Sequence, residues 1–200
     1  MEVKINKKTD IKIPAEILSN DVLSLNDKLI YGLHYSYSLK KKHTHLTNIE
    51  IADIFCLNVN TVSKSHQTMY KLGYLEKVKK KEIVIVEAKL KELKAQQKTK
   101  LTDAERDRRD IILPFEVYHT ELKTGAKLLW GEYNTFRDTK DGYKATREYA
   151  AKRLNVDENS ISNWTIELND NDFFEEYDLK ISSDGSQRVV RTKQYKRENN

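Results

Sequence analysis

Three side chains with strong hydrogen-bonding capacity, Asn60, Lys64 and Gln67, follow one another at intervals of four and three residues. At that spacing they lie on one face of an α-helix. A carboxamide both donates and accepts hydrogen bonds, and an ammonium group donates and carries charge. Such a face can recognise a polar partner without breaking covalent bonds. The residues that we expect to contact the partner are Asn60, Thr61, Ser63, Lys64, Gln67 and Lys71.

Cationic and polar groups on both sides of this face suit a phosphate backbone. One lysine run, residues 40–42, precedes the helix, and a second run, residues 79–81, follows it. Lysine and hydroxyl or amide groups bind phosphate oxygens without distinguishing sequence. The predicted backbone contacts are Lys40, Lys41, Lys42, Thr47, Asn48, Lys79, Lys80 and Lys81.

Two short helices must position these groups. Thr47 and Glu50 form a capping box, which predicts a helix from Thr47 to Phe55. Asn58 can cap a second helix, and Gly73 ends it. The buried stripe of the second helix is predicted to contain Val62, His66, Met69 and Leu72.

Residues 74–86 then predict a strand, a basic turn and a second strand. The run ADIF-CLN-VNTVSK followed by LGYLEK resembles the winged-helix family. Cys56 stands at the turn position where that family often has glycine. The resemblance implies that the second helix enters the major groove of double-stranded DNA while the hairpin wing contacts the backbone. The alternative is a helical hairpin packed for structure alone.

The pattern recurs in the second half of the chain. Lys28 and Lys127, like Ser63 and Ser162, are 99 positions apart, and this offset holds over about fifty residues without a gap, as expected of an internal repeat. We therefore predict a mainly α fold with small β-hairpin wings (α+β). It would contain winged-helix domains at 1–86 and 111–192, a charged linker at 87–110 that is either a solvated helix or flexible, and a frayed tail at 193–200.

The two copies differ in charge. Residues 1–86 hold 14 basic and 9 acidic residues, whereas residues 111–176 hold 8 basic and 13 acidic ones. The second copy should therefore bind DNA more weakly, because phosphates are repelled by its acidic helix. Its predicted contacts are Arg147, Lys152, Arg153, Asn159, Ser160, Ser162, Asn163, Arg188 and Arg191. Trp164, within that helix, is either a core residue or an anchor for a partner, and we favour the core.

Catalytic and metal-binding patterns are weak. His43 and His45 lack further ligands at zinc spacing, and six glycines form no phosphate-binding loop. Cys56, the one cysteine, excludes an internal disulfide and has no evident base partner. We expect no enzyme activity, no metal and no cofactor. The lack of a long apolar run predicts no membrane span. The single cysteine fits a reducing cytoplasm, where we expect the protein to reside.

The sequence-level hypothesis is a sequence-specific DNA-binding protein in which two linked heads form an internal pseudo-dimer. The first copy resembles the winged helices of phage and plasmid replication proteins of Gram-positive bacteria. This resemblance implies a mobile-element regulator or an accessory factor at an origin of replication or transfer, with a replication initiator as the alternative. A protein-interaction module, acting through the acidic second copy, is the competing class. The chain would act as a monomer or a homodimer.

Overall fold

The computed structural model describes residues 9–40, 43–79, 82–100, 109–139, 142–143, 145–182 and 185–195, and for 97–100, 179–182 and 185–188 it describes the backbone alone. Helices and two-stranded antiparallel sheets make a mixed α+β fold. The first copy comprises β1 (Ile11–Ile13), α1 (Ala15–Leu18), α2 (Leu25–Leu39), α3 (Asn48–Phe55), α4 (Val59–Lys71), β2 (Leu75–Lys79) and β3 (Glu82–Ile85). After the linker helix α5 (Glu87–Lys100), the second copy comprises β4 (Ile111–Leu113), α6 (Phe115–Tyr118), α7 (Thr124–Asn134), α8 (Arg147–Leu154), α9 (Glu158–Asp170), β5 (Phe174–Ser182) and β6 (Gly185–Thr192).

Local sequence signals set the bounds of α3 and α4. The predicted capping box is confirmed: Thr47 Oγ1 accepts the N–H of Glu50, whose carboxylate accepts the N–H of Thr47 at 2.6 Å. Cys56 takes the left-handed conformation at φ 51°, and the N–H of Leu57 closes the turn with a 2.8 Å hydrogen bond to the backbone of α3. Gly73, with φ 72°, ends α4 as predicted. The turn therefore forms without glycine.

The same backbone conformations recur in the second copy, 99 positions later. Thr146 caps α8 and Asp157 caps α9 through their side-chain oxygens. Asn155 replaces Cys56 as the left-handed residue, with φ 54°. Asp172, with φ 64°, takes the position of Gly73. Asn and Asp tolerate this conformation better than most residues with side chains, so the second copy keeps both turns.

A two-stranded sheet joins the copies. β1 pairs with β4 in antiparallel register, so that each end of one strand faces the opposite end of the other: Ile11 with Leu113, Lys12 with Ile112 and Ile13 with Ile111. The pairing has approximate two-fold symmetry about its central residues. The backbone partner of β1 therefore lies in the second copy, so the predicted domains at 1–86 and 111–192 share this sheet.

Two equivalent glycines allow helices α2 and α7 to approach this sheet. A Cβ on Gly32 would lie 2.4 Å from Ile13 Cγ1, and a Cβ on Gly131 would lie 2.7 Å from Leu113 Cδ2. Both distances are shorter than any normal carbon contact. The glycines therefore let one apolar core run beneath the shared sheet, with Ile11 and Leu113 fully buried.

A reciprocal pair of buried lysines also connects the copies. Lys28 Nζ donates to the carbonyl oxygen of Leu154 at 2.8 Å, and Lys127 Nζ donates to that of Phe55 at 2.7 Å. Each ammonium group thus binds the C-terminal end of a helix in the other copy, where the helix dipole favours positive charge. Burial lowers the pKa of both lysines to about 8. The copies therefore form a tight, desolvated interface.

The linker is helical where the structure describes it. Leu90 and Leu93 of α5 are buried, and the helix packs against α1. A wholly solvated linker helix is therefore excluded for this part, and residues 101–108 lie outside the described residues. At the other end, Tyr195 packs against Trp130 with ring centroids 5.9 Å apart. The predicted frayed tail is therefore wrong for residues 193–195, while residues 196–200 lie outside the described part.

Within the described residues, no helix has the length and apolarity to cross a membrane.

Candidate nucleic-acid interface

The outward face of α4 carries the side chains that the sequence predicted there. Asn60, Lys64, Gln67 and Lys71 are exposed, and Thr61 and Ser63 are half-buried. The opposite face packs into the core through Val62, Ser65, His66 and Met69. The predicted polar face is therefore available to a partner along the whole helix.

A groove separates α4 from the hairpin formed by β2 and β3. It encloses about 250 Å³ between the start of α3, the middle of α4 and the hairpin. Its polar lining includes Asn48, Ser63, Gln67 and Lys77, and Ile83 forms an apolar part. The groove thus brings the polar side chains of α4 together with Lys77 of β2, a cation that was not predicted from the sequence. Only the pairing of β2 with β3, which sets Lys77 opposite Ile83, reveals this position.

Three side chains connect the groove to the core. Asn48 Oδ1 lies 2.8 Å from His66 Nδ1, and His66 Nε2 lies 2.9 Å from His34 Nε2. His34 and His66 are 2% and 4% exposed. Burial lowers the pKa of His66 to about 4; burial and the neighbouring His66 lower that of His34 to about 3. Both imidazoles are therefore neutral at physiological pH. The predicted core position of His66 is confirmed.

The capping box occupies both polar hydrogens of Thr47. Its N–H and its hydroxyl group donate to Glu50 Oε2, at 2.6 and 2.9 Å. Thr47 therefore has no hydrogen left to donate to phosphate while the box is intact. Thr47 is exposed and lines the groove, so its backbone contact stays a prediction that requires the box to open, whereas the Asn48 side chain can donate with the box intact.

The predicted lysine contacts fall into two groups. Lys40 is exposed after α2, and Lys79 is exposed on β2, with Nζ 3.9 Å from Glu82 Oε2. An exposed pair at this distance is weak and screened by salt, so Lys79 stays available to a stronger anion. Lys41, Lys42, Lys80 and Lys81 lie outside the described residues.

Several basic residues of the second copy form ion pairs within the protein. Arg153 is 2% exposed, and its guanidinium group lies 3.0 Å from Glu132 Oε2. The predicted phosphate contact of Arg153 is therefore wrong: this side chain is a buried structural ion pair. Lys152 lies 3.0 Å from Glu148, and Arg191 lies 3.4 Å from Glu176.

Arg147 is exposed, and its Nη1 donates to Ser162 Oγ at 2.9 Å. The Arg188 side chain lies outside the described residues.

The outward face of α9 differs from that of α4 at equivalent positions. Asn159 and Asn163 are exposed, and Ser160 and Ser162 are half-buried. Ile166, at the position of Gln67, is 54% exposed. The sequence analysis did not single out this apolar residue, although its offset of 99 from Gln67 identifies it.

Trp164 lies in the core of the second copy, as we favoured. It is 9% exposed, and its ring lies over Gly125, where an added Cβ would come within 2.1 Å of the ring. The ring therefore occupies the space that a side chain at position 125 would need, and Trp164 does not face a partner.

Comparison with known proteins gives no further guide. No family model, curated protein or solved structure matches this chain. The functional proposal therefore depends on the groove and on the faces of α4 and α9.

Cys56 has little nucleophilic character. Its Sγ lies 3.9 Å from His119 Nδ1, which is itself 3.0 Å from the carbonyl oxygen of Ile54. Burial raises the pKa of the Cys56 thiol. Since the thiolate is the reactive form, this environment favours a structural role in the turn.

Proposed function

We propose that the chain is a non-enzymatic protein that binds double-stranded DNA at specific sites through two winged helices. In the first, α4 is the recognition helix and the β2–β3 hairpin is the wing. The observation that carries the proposal is the groove in which Asn48, Gln67 and Lys77 converge beside the exposed face of α4. Asn and Gln can bind adenine through two hydrogen bonds, and lysine can bind guanine. The lysines and Asn48 would bind the flanking phosphates.

The symmetry of the shared sheet supports an internal pseudo-dimer. Because β1 and β4 pair about a two-fold axis, α4 and α9 would approach DNA in opposite orientations. A two-fold arrangement of heads corresponds to inverted half-sites. We therefore expect an imperfect palindrome, in which the half-site under α4 is strongly specified. The half-site under α9 would have weaker preferences, such as apolar contact between Ile166 and a thymine methyl group.

The biological role follows from the resemblance of the first copy to phage and plasmid winged helices. We propose a mobile-element regulator or an accessory factor acting at a promoter or at an origin of replication or transfer. A replication initiator is the alternative. The two differ in assay, because an initiator melts or bends its origin and supports replication in cells, whereas a regulator occupies its site without melting it.

Selection of duplexes from a random library by the full chain tests DNA recognition. The selected duplex should then be titrated by fluorescence anisotropy at several salt concentrations, and the stoichiometry should be measured. We expect enrichment of an inverted repeat and an affinity that falls steeply with salt, as phosphate contacts require. Absence of enrichment, with weak binding that does not depend on salt, would contradict the proposal.

A protein-interaction module is the second candidate, and one observation favours it. Ile166 is exposed on a helix that also presents Glu158 and Asp170. Acidic side chains repel phosphates, so this face suits a protein partner better than DNA. In that case selection of duplexes by the full chain would enrich no DNA sequence.

A further inference from the structure

Hydrogen bonding fixes the orientation of the Asn48 carboxamide. Its Oδ1 can only accept, so it takes the hydrogen of His66 Nδ1 at 2.8 Å. A neutral His66 then accepts at Nε2, and His34 must donate from its Nε2 across 2.9 Å. The chain of donors therefore runs from His34 through His66 to Asn48. The reverse order of donors would place a hydrogen on His34 Nδ1, which is buried without a hydrogen-bond partner, and unpaired buried N–H groups are rare. The NH₂ group of Asn48 is at the end of this chain and is left to donate to a partner. The Asn48 side chain is half-buried and lines the groove.

We infer that His34 and His66 are positioning residues: they hold Asn48 with its NH₂ directed toward a DNA phosphate. This inference rests on the proposed DNA-binding function and assigns a role to a buried pair that touches no DNA itself. A carboxamide can rotate by half a turn at little steric cost, and the rotated form would direct Oδ1 at the phosphate. Because His66 donates at Nδ1, rotation would place NH₂ against N–H and lose the hydrogen bond.

The surroundings of Asn48 make its orientation important. The adjacent Thr47 has both polar hydrogens bound to Glu50, and the Glu50 carboxylate is itself negative. A phosphate near the start of α3 therefore meets one acidic group and needs a neutral donor beside it. Hydrogen bonds to charged acceptors are about twice as strong as neutral ones, so the orientation of one amide has a measurable effect.

The second copy provides an internal control for this chain. At the positions of His34 and His66 it has Tyr133 and Thr165, which are buried and hydrogen-bonded at 2.8 Å. Thr165 Oγ1 then donates to the carbonyl oxygen of Ile161 at 2.6 Å, within its own helix. Arg147, at the position of Asn48, bonds to Ser162 instead. In the second copy the hydrogen bonds of Thr165 thus lead to Tyr133 and Ile161, while Arg147 bonds to Ser162.

Exchange of the pairs separates positioning from packing. The double variant His34→Tyr/His66→Thr gives the first copy the buried pair of the second, with Asn48 unanchored. We expect its affinity for the selected duplex to fall about tenfold, and Asn48→Ala to reduce the affinity of the wild-type chain by a similar factor. In the double variant, Asn48→Ala should have almost no further effect, because the unanchored amide no longer binds the phosphate. Tyr133→Phe, which breaks the pair in the second copy, should leave affinity within twofold.

Nitrogen-15 NMR of the histidines in the free wild-type protein tests the order of donors without DNA. We expect His66 to carry its hydrogen on Nδ1 and His34 on Nε2, two opposite tautomers, unchanged between pH 6 and pH 8. His66 protonated on Nε2 would overturn the inference even if the double variant failed to fold.

The outcomes also separate the two proposals. If the wild-type chain selects and binds a duplex but Asn48→Ala and the pair exchange leave its affinity unchanged, the positioning role is rejected and DNA binding stands. If the wild-type chain binds no duplex, both proposals are rejected.

Discussion

The two copies share a backbone but differ on the surface that would meet DNA. The helix caps, the left-handed turns, the glycines below the shared sheet and the reciprocal lysines recur at equivalent positions. The outward positions do not: Lys64, Gln67 and Lys71 on α4 correspond to Asn163, Ile166 and Asp170 on α9. The residues that build the fold and the residues that select a partner are therefore separate sets. The second copy can differ in its partner-facing residues without losing its structure.

Acid should reveal the largest difference between the copies, because only the first has the buried histidine pair. The pKa of His66 is about 4 in the folded chain against an ordinary value of 6.5. The unfolded chain therefore binds more protons below pH 6.5, and the free energy of unfolding falls as the pH drops toward 4. His66 alone accounts for about 3 kcal/mol, and His34 adds to this. Chemical denaturation at pH 7 and pH 4 measures this loss in the free energy of unfolding. The His34→Tyr/His66→Thr variant should lose less stability than the wild-type chain, and an equal loss would contradict the assignment.

Gly125 should show the next largest effect, on stability alone. Gly125→Ala places a methyl group against the Trp164 ring, 2.1 Å from it before any shift, and should cost about 2–3 kcal/mol. Asn26, at the equivalent position of the first copy, faces no tryptophan because Ser65 stands at the position of Trp164. Asn26→Ala should therefore cost less, about 1 kcal/mol, for the hydrogen bond that Asn26 Oδ1 accepts from Thr124 Oγ1 at 2.6 Å. In a Trp164→Ala background the effect of Gly125→Ala should almost disappear, and its persistence in thermal unfolding would show that the ring is not the cause.

DNA affinity should distinguish the two helices. Asn60→Ala or Gln67→Ala should weaken binding of the full chain to the selected duplex by about 1–3 kcal/mol, if each side chain makes a good base contact. The matched changes in the second copy, Asn159→Ala and Ile166→Ala, should each cost less than about 0.5 kcal/mol, because the acidic helix binds weakly. Anisotropy titration of all four variants makes the comparison. Equal losses in both copies would show that the heads contribute equally.

The smallest expected effect concerns lysines and salt. Replacing Lys77 and Lys79 with alanine should weaken specific and non-specific duplexes alike. The slope of log affinity against log salt concentration should become shallower by about one for each lysine that binds a phosphate. Lys152→Ala should change this slope less, because the acidic second copy is expected to bind DNA weakly. A weaker affinity for the selected sequence alone would indicate that Lys77 or Lys79 contacts bases.

Features with a local cause could be predicted from the sequence. The capping box of Thr47, the end of α4 at Gly73 and the outward face of α4 each depend on residues within one or two helical turns. Arg153 could not be placed in this way. In the sequence it is one of several basic residues of α8, and only the tertiary packing places it beside Glu132. The partner of β1 also lies about one hundred positions away.

The histidine chain was beyond sequence analysis for the same reason. His66 is predicted to lie on a buried stripe, but the pattern does not name His34 as its partner. Asn48 was expected to contact DNA without any account of what fixes its amide. Such a chain joins α2, α3 and α4, and hydrogen-bond partners between separate helices are set by the packed structure rather than by sequence spacing.

If the chain binds DNA as proposed, the shared β1–β4 sheet also limits the spacing of the half-sites that it can bind. Two heads on a flexible tether would accept half-sites over a range of separations. Here the sheet and the two buried lysines fix the heads to one body, so their separation and their rotation about the DNA axis are set together. About five extra base pairs between the half-sites would turn the second half-site to the far side of the duplex, since one helical turn takes about 10 base pairs. The molecule would therefore act as a gauge of helical phase as well as of sequence.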